Sequence, residues 1–344
     1  MNDGPLVTFF IMAYNQEKFI REAVKGALAQ TYSPLEIILS DDCSRDRTFD
    51  IMREEASSYG GPHSIILNRN ERNLGIGGNI NRIMKLAKGE LVVLAAGDDI
   101  SLPERTSVLC DAYRKSRGRA FSLYSDALIV DQYNRRMALH SCRQPEHVDM
   151  PWAIKSFTGS VTGCSHAWSR ASFDLFGPIL DETAFEDRVI AFRSFILGDI
   201  VHIPSPLVRW RHHPDNVSRI SRRLSNHDLL KQAAELFSRY LTVLHNYRRD
   251  FDTARRKRLL RPHDVDVNCL SDMIDKQINL YTYKAAFASS NMFSRYHITI
   301  AALRTGVGTR QTMVWLLCTF FPWLYTFNLS RVIKSDWPGD SEAQ

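Results

Sequence analysis

Four short apolar runs, separated by segments of helical spacing, constrain the fold of this chain more than any other feature. The runs are rich in β-branched and large apolar residues and lie at residues 6–12, 35–40, 64–67 and 91–96. The segments between them place apolar residues three or four apart, and lie at residues 19–30, 48–55 and 79–88. This alternation predicts βαβ units and an α/β fold with a mostly parallel central sheet. Ligands of such sheets bind beyond the carboxyl ends of the strands, so the polar residues that follow each run are the candidates for a site.

Two acidic pairs follow two of these predicted strands. Asp41-Asp42 ends the second run and Asp98-Asp99 comes shortly after the fourth. Neighbouring carboxylates at one sheet edge repel each other unless a cation or hydrogen-bond donors compensate their charge. Oxygen ligands of this kind suit Mg²⁺ or Mn²⁺ bridging to a diphosphate. The alternative, that aspartate is simply common in loops and at helix starts, is the better interpretation for Asp46 and Asp50.

The predicted secondary structure and the charge of the chain change near residue 219. Residues 120–218 mix strands and helices, whereas residues 219–344 have mainly helical patterns. The first 218 residues carry 25 Lys and Arg against 27 Asp and Glu, and the remainder carries 19 against 11. We therefore predict an α/β domain over 1–218 and a basic, α-helical C-terminal region over 219–344 that contacts an anionic partner.

Several classes of protein are disfavoured. The six cysteines form no C-x-x-C pair, which argues against a zinc ribbon or a disulfide framework and favours a reducing compartment. No Gly-x-x-x-x-Gly-Lys-Ser/Thr loop is present, and Ala13-Tyr14-Asn15 occupies the position where a dinucleotide fold needs glycines. The N-terminus lacks a basic region, so no cleaved signal peptide is expected.

The motifs at the strand ends resemble those of family 2 glycosyltransferases. They follow one another in that family's order: Phe10-Ile11-Met12-Ala13-Tyr14-Asn15, Ala29-Gln30-Thr31-Tyr32, Ser40-Asp41-Asp42-Cys43-Ser44-Arg45-Asp46-Arg47-Thr48, Asn73-Leu74-Gly75, Ala87-Lys88-Gly89-Glu90 and Gly97-Asp98-Asp99. The resemblance covers roughly residues 5–218 and implies the GT-A fold. Two departures stand out, because Gly97 replaces a third acidic residue of many members and Gly77-Gly78-Asn79 replaces their Ala-Arg-Asn.

The resemblance also implies roles for the donor side. Tyr14 would flank the nucleotide base, commonly uracil, and Asp42 would accept its ring N–H. Asp98 would face the ribose or the metal, whereas Asp99, with His213, would hold a divalent cation, Mn²⁺ or Mg²⁺, that bridges the diphosphate. The full set of residues expected to bind the nucleotide is Ala13, Tyr14, Asn15, Asp41, Asp42, Asn73, Gly75 and Asp98.

The acceptor side of the resemblance begins at Glu186-Asp187. On its own, an acidic pair before a helix is explained by the preference of carboxylates for helix N-termini. In the family such a pair supplies the catalytic base, and Asp187 would take that role with Glu186 as the second candidate. The segment 211–218 resembles the family's closing pattern Arg-x-His-x-x-Asn-x-Ser. It offers phosphate or acceptor contacts at Arg211, Asn216 and Ser218.

The C-terminal region extends beyond the resemblance. Residues 246–262 hold seven Lys and Arg against two Asp, which indicates either a solvated surface or attraction to anionic lipid. Residues 311–330 are uncharged, and Trp315, Trp323 and Tyr325 are typical of a membrane interface. We predict peripheral docking on the cytoplasmic face of the membrane, with a dimer-forming or core helix as the alternative. No nucleic-acid recognition module is recognisable.

These features together predict an inverting, metal-dependent glycosyltransferase. The donor would be a nucleotide-diphosphate sugar, UDP-linked, and the acceptor a hydroxyl of a saccharide or lipid-linked saccharide. Two alternatives stay open: a nucleotidyltransferase, which would share the nucleotide and metal edge, and a catalytically silent scaffold that binds sugar nucleotides.

Overall fold

A computed structural model describes most of the chain and divides it into two compact units. Unit 1 comprises Met1–His213 with Arg249–His263, and unit 2 comprises Pro214–Arg248 with Asp264–Gln344. The predicted domain boundary at residue 219 lies outside the described residues and stays a prediction. The described residues are 4–141, 149–157, 161–214, 216, 226–260, 266–305 and 307–320.

The first half of the sheet in unit 1 is parallel. Its four strands pair in the order β3-β2-β1-β4, so that β1 lies between the strands that carry the two acidic pairs. Every residue of β2 is buried, as expected for strands covered on both faces. The strands are β1 Val7–Ala13, β2 Leu35–Asp41, β3 Ser64–Arg69 and β4 Leu91–Ala96, and the helices that follow them are α1 Ile20–Leu28, α2 Thr48–Ser57, α3 Gly75–Leu86 and α4 Arg105–Lys115.

The second half of the sheet is mixed. It continues from β4 in the order β8-β6-β9-β5, with β7 paired to β6, and only the ladder between β6 and β9 is parallel. The predicted α/β class is therefore confirmed, with antiparallel ladders in this half. The elements are β5 Ile100–Ser101, β6 Ala120–Asp131, β7 Arg136–His140, α5 Met150–Ser156, a 3₁₀ turn Gly163–Ser165, β8 Ala167–Ser169, α6 Arg170–Phe176, α7 Glu186–Leu197 and β9 Asp199–His212.

Helix α8 runs from Asn226 to Arg256, and its last residues belong to unit 1. A buried ion pair explains this, because Arg193 Nε donates to Asp250 Oδ2 at 2.7 Å and both side chains are 0% exposed. Part of the predicted basic run 246–262 thus makes contacts within the protein, since Arg249 also donates to Pro178 O at 2.6 Å. Within that run, residues 255–258 are exposed, and residues 261–262 lie outside the description.

The remaining helices belong to unit 2. They are α9 Val267–Ser289, α10 Met292–Arg304 and α11 Thr309–Phe320. Their core includes Phe287 and Trp315, whose rings stack at a centroid distance of 5.6 Å. Helix α11 covers the first half of the predicted interfacial segment 311–330, and residues 321–330 lie outside the described part. Among the helices that the structure describes, none is long and apolar enough to cross a bilayer.

Candidate active site

The carboxyl ends of β2, β1 and β4 form one continuous edge. Asp42 N donates to Ala13 O at 2.9 Å on one side of β1, and Gly97 N donates to Met12 O at 3.0 Å on the other. The two acidic pairs therefore flank the end of β1, with about 10 Å, two strand spacings, between their backbones. This is the convergence that the strand-end pattern predicted.

A turn after β1 and a turn after β2 interlock at this edge. Asn15 has a φ of 54°, and its backbone N–H donates to Ser44 Oγ at 2.8 Å. Its side chain in turn accepts from Arg45 N at 2.9 Å. Asparagine tolerates the left-handed region better than most residues, which explains its place here. The turn leaves Tyr14 40% exposed beside Asp42, where a base could stack on its ring.

Asp42 is held by neutral donors. Its Oδ1 atom accepts from Asn70 Nδ2 at 2.8 Å and from Leu74 N at 2.9 Å. Asn70 also bonds to Asn68 and Asn79, so a buried amide network fixes the carboxylate. The sequence interpretation missed this network, although Asn68 in β3 and Asn70 directly after it are two residues apart, the spacing of side chains on one face of an extended chain.

Asp41, unlike Asp42, is completely buried and supports the local structure. It is 0% exposed, and its Oδ2 accepts from Ser44 N at 3.0 Å. Burial raises the pKa of its carboxyl, which the bonds from Ser44 and the nearby Arg69 oppose. Because it faces the protein interior, Asp41 supports the turn that presents Asp42.

The glycine that replaces a third acidic residue is explained by Gln16. A Cβ at Gly97 would overlap Gln16 Oε1 and lie 2.7 Å from Ala13 Cβ, so no larger side chain fits. Gln16 Oε1 is buried and accepts no hydrogen bond from the described residues. A buried acceptor without a partner is costly, which makes this oxygen available to a donor hydroxyl or a cation.

Asp98 and Asp99 diverge after β4. Asp98 Oδ2 lies 3.0 Å from His213 Nε2, whereas Asp99 Oδ1 accepts from the backbone N–H of Arg211 at 2.8 Å. Burial first, and the charge of Asp98 second, raise the pKa of Asp99 well above its ordinary value. His213 thus pairs with Asp98, and the role of Asp99 and His213 as metal ligands stays a prediction.

Arg211 is buried at the same place and is 1% exposed. Its Nε donates to Asp98 O at 2.9 Å, one terminal nitrogen donates to Gln132 O at 3.1 Å, and the other donates to Glu22 at 2.6 Å. The guanidinium also lies over the Phe19 ring at 5.0 Å. Its donors join the Asp98 turn to α1 and to the turn after β6, and the phosphate or acceptor contact of Arg211 stays a prediction.

A second buried arginine lies behind the acidic pair. Arg105 is 0% exposed and donates to Ser101 Oγ at 2.8 Å and to Leu94 O at 2.7 Å. Burial lowers its pKa to about 10, so it stays charged at neutral pH, and its charge favours the ionised form of Asp99. Nothing in the spacing of Arg105 marks it as buried, and sequence reasoning did not find it.

The 3₁₀ turn Gly163–Ser165 brings the third acidic pair to the same region. A Cβ at Gly163 would lie 3.3 Å from Glu186 Oε1 and 3.4 Å from Asp187 Oδ2. Burial raises the pKa of the neighbouring Cys164 thiol, and the charges of Asp99 and Asp98 raise it further. His166, which directly follows the turn, accepts from Leu94 N of β4 through its carbonyl at 3.1 Å. The turn therefore lies between the start of α7 and the strand that precedes Asp98 and Asp99. Glu186 is 7% exposed and Asp187 is half-buried.

The glycines at the start of α3 pack against the loop that precedes α7. A Cβ at Gly75 would lie 2.6 Å from Glu182 O, and one at Gly77 would lie 2.6 Å from Asp181 O. Gly77 N donates to Glu182 O at 3.1 Å. The absence of side chains at these glycines thus allows the loop that precedes α7 to pack on the start of α3. Asn73, predicted to bind nucleotide, accepts from Gly75 N at 2.8 Å and shapes this turn.

Three side chains near the end of β4 are of the chemical types that bind a divalent cation. Among the described residues there is no cluster of three or more His, Cys, Asp or Glu that could hold a metal by itself. Mg²⁺ commonly takes only one or two carboxylates from the protein and the rest from phosphates and water. Asp98, His213 and the unpartnered Gln16 Oε1 offer oxygen and nitrogen donors of this kind. Of the other two predicted phosphate or acceptor contacts, Asn216 lies after β9 and Ser218 lies outside the described residues.

The sequence is similar to those of known glycosyltransferases. Residues 8–156 match the family model described as glycosyl transferase family 2. The chain is 33% identical to EpsE of Bacillus subtilis (strain 168) over 105 residues, which are 30% of this chain and 37% of EpsE. It is 26% identical to EpsH of the same organism over 268 residues, covering 73% of this chain and 74% of EpsH. The chain therefore spans little more than a third of the first of these relatives.

Among solved structures, Staphylococcus aureus TarS 1-349 superposes with a TM-score of 0.55 at 13% identity, covering 98% of this chain and 95% of TarS 1-349. The structure of TarS 1-349 in complex with UDP-GlcNAc gives a TM-score of 0.53 at 16% identity and covers 88% of each chain. At such identities the likeness concerns the fold, and it confirms the predicted GT-A architecture.

Proposed function

Because residues 8–156 match the family model of glycosyl transferase family 2, we propose that this chain transfers a sugar from a UDP-linked donor to an acceptor hydroxyl. The observation that carries the proposal is the convergence of three acidic pairs. Two flank the end of β1, and the third lies against the 3₁₀ turn at Gly163, whose next residue, His166, accepts from Leu94 N of β4 through its carbonyl. The fold that this chain shares with TarS, which was solved with UDP-GlcNAc, supports a uridine nucleotide at the Asp42 side.

On the donor side, Tyr14 would stack on the uracil ring and Asp42 would accept its N–H. The amide network holds Asp42 ready for this, because only its Oδ1 is used by Asn70 and Leu74 in the bonds described. Gln16 Oε1 would accept from a ribose hydroxyl or approach the cation. Asp98 and His213 would hold a divalent cation, Mn²⁺ or Mg²⁺, whose charge would offset the charge that grows on the leaving diphosphate.

On the acceptor side, Asp187 would act as the base. It would accept the proton of the acceptor hydroxyl while that oxygen forms a bond to the anomeric carbon of the donor sugar. The bond from that carbon to the diphosphate oxygen breaks in the same step, and UDP leaves with the electron pair. A single displacement of this kind inverts the anomeric centre, and the transferred proton remains on Asp187.

The acceptor we propose is a saccharide or a lipid-linked saccharide at the cytoplasmic face of the membrane. The basic and apolar composition of the C-terminal region supports a peripheral position there. The exposed residues 255–258 and the segment 311–330 are the parts that the sequence assigns to this contact.

The test is incubation of the full chain with Mn²⁺, a panel of sugar nucleotides and saccharide acceptors. UDP release coupled to sugar transfer supports the proposal, pyrophosphate release would favour a nucleotidyltransferase, and binding without turnover would favour a silent scaffold. Asp187→Asn should lower kcat by about 10²–10⁴-fold while UDP binding, measured by calorimetry, is unchanged.

Glu186→Gln is the matched control, because it alters the other member of the same pair by the same chemistry. It should lower kcat by less than about tenfold, since a residue that is not the base contributes only packing. Equal losses in the two variants would refute the assignment of the base to Asp187.

A further inference from the structure

Helix α10 presents its large apolar side chains to solvent. Phe293 is 78% exposed, Tyr296 is 44% exposed and Leu303 is 41% exposed. With the half-buried Ile300 they recur at intervals of three and four residues, so all four lie on one face of the helix. We call these four residues the α10 stripe. A contiguous exposed apolar surface of this kind marks an interaction site more often than scattered apolar residues do.

The opposite face of α10 is buried although it is partly polar. Arg295 is 7% exposed and Thr299 is 0% exposed. Arg295 Nε donates to Phe287 O at 3.0 Å, and its guanidinium lies over the Phe287 ring at 5.2 Å. This arginine thus satisfies a carbonyl in the last turn of α9, where a positive charge is favourable. Rotation of α10 to bury the stripe would break this bond and leave a buried charge, so the exposure is built into the packing of unit 2.

The charge around the stripe selects its partner. Residues 276–335 contain no Asp or Glu, whereas they contain seven Lys and Arg, Lys276 included. His297 and Arg304, both exposed, lie next to the stripe on the helix surface. A second copy bound through the same face would bring these like charges together. An anionic bilayer offers hydrocarbon for the stripe and phosphate for the basic rim.

We propose that the α10 stripe is the surface by which this chain docks on anionic lipid, with Phe293 inserted most deeply. The proposal moves the principal membrane contact from segment 311–330 to α10. It is independent of the proposed sugar transfer, because lipid binding requires neither donor nor acceptor.

The experiment is co-sedimentation of the full chain with vesicles of phosphatidylcholine alone or with about 30% phosphatidylglycerol, at low and high salt. We expect binding to the anionic vesicles that exceeds binding to neutral ones by about tenfold and weakens with salt. The double variant Phe293→Ser, Leu303→Ser should lower the partition coefficient by at least about tenfold.

Met137→Ser is the matched control, because Met137 on β7 is 61% exposed and belongs to unit 1. It should change the partition coefficient by less than about twofold. Wild-type binding by the double variant would overturn the proposal. So would a dimer of the wild-type chain in light scattering that the double variant converts to a monomer, since the stripe would then bind a second copy. UDP release measured on the same samples separates this outcome from failure of the proposed transfer.

Discussion

The acidic pairs that follow β2 and β4 are the same dipeptide in sequence and have opposite arrangements in the fold. After β2 the first residue, Asp41, is tied to the backbone of its own turn, and the second, Asp42, bonds to an asparagine. After β4 the second residue, Asp99, is tied to the backbone of β9, and the first, Asp98, bonds to a histidine.

The difference teaches what decides the role of a carboxylate at a strand end. In the hydrogen bonds described, Asp41 and Asp99 accept only from backbone N–H groups and become part of the scaffold, whereas Asp42 and Asp98 each contact a side chain as well. These two take the chemistry of that partner: neutral amides suit recognition of a base N–H, and an imidazole with nearby arginines suits a charged ligand. The partner is contributed by a distant strand or helix, so the dipeptide alone does not determine it.

The largest effect is expected when the two members of the β4 pair are compared. Asp98→Asn should lower kcat/KM by about 10³-fold, or about 4 kcal/mol of transition-state stabilisation, because the ligand that we propose for the cation is lost. Asp99→Asn should lower it by less than about tenfold, because the amide oxygen can still accept from Arg211 N and a buried charge is removed. Steady-state kinetics across a Mn²⁺ titration measures both.

Chemical denaturation of the same two variants supplies the control. Asp99→Asn should unfold at a denaturant concentration no lower than that of the wild-type chain, since the raised pKa of Asp99 shows that its charge is disfavoured by burial. If Asp99→Asn removes activity as completely as Asp98→Asn, the division of roles within this pair is wrong and Asp99 is the ligand.

The next largest effect compares the stability contributed by Arg211, beside the end of β4, with that contributed by Arg69, beside the end of β2. Arg211→Met should lower the free energy of unfolding by about 2–3 kcal/mol, because its bonds to Asp98 O, Gln132 O and Glu22 are buried or partly buried. Arg69→Met removes the ion pair to Asp41 but should cost less than about 1 kcal/mol, because the Arg69 side chain is 48% exposed.

Urea unfolding followed by circular dichroism measures both arginine variants. A cost at Arg69 that equals the cost at Arg211 would show that the ends of β2 and β4 are supported alike. A kcat that falls in Arg211→Met at saturating Mn²⁺, with KM for the donor unchanged, would indicate that the Asp98 turn has moved relative to Asp187.

The parallel half of the fold was predictable because its signal is local. Each strand of that half is a continuous apolar run, and each acidic pair comes at or just after the point where a strand ends, so sequence order alone placed Asp42 and Asp98 on one edge. The GT-A architecture followed from motif order.

The parts that sequence did not predict depend on contacts between distant segments. Arg105 and Gln16 have no distinctive spacing, yet one is buried behind Asp99 and the other fills the space beside Gly97. Likewise, Gly77 reads as part of a departure from a family motif. Only the loop at Asp181 and Glu182, more than a hundred residues later, explains why no side chain fits there.

The smallest effect concerns a histidine beside β4. His166 is 0% exposed, its carbonyl accepts from Leu94 N at 3.1 Å, and burial lowers its pKa to about 3. The unfolded chain binds a proton at this residue below about pH 6.5, whereas the folded chain does so only near pH 3. Stability from this group is therefore complete above pH 6.5 and falls as the pH is lowered toward 3, by about 2 kcal/mol at pH 5.

His166→Gln separates this contribution from the rest, because glutamine can still bond to Ser122 Oγ, which lies 2.9 Å from His166 Nε2, but does not titrate. Urea unfolding of both chains at pH 7 and pH 5 should show a smaller loss for the variant by about 2 kcal/mol. Part of the acid sensitivity will remain, since burial also lowers the pKa of His140. Equal losses in the two chains would mean that the Leu94 side of the sheet opens to water before it unfolds, so that the β4 end is less rigid than its buried arginines imply.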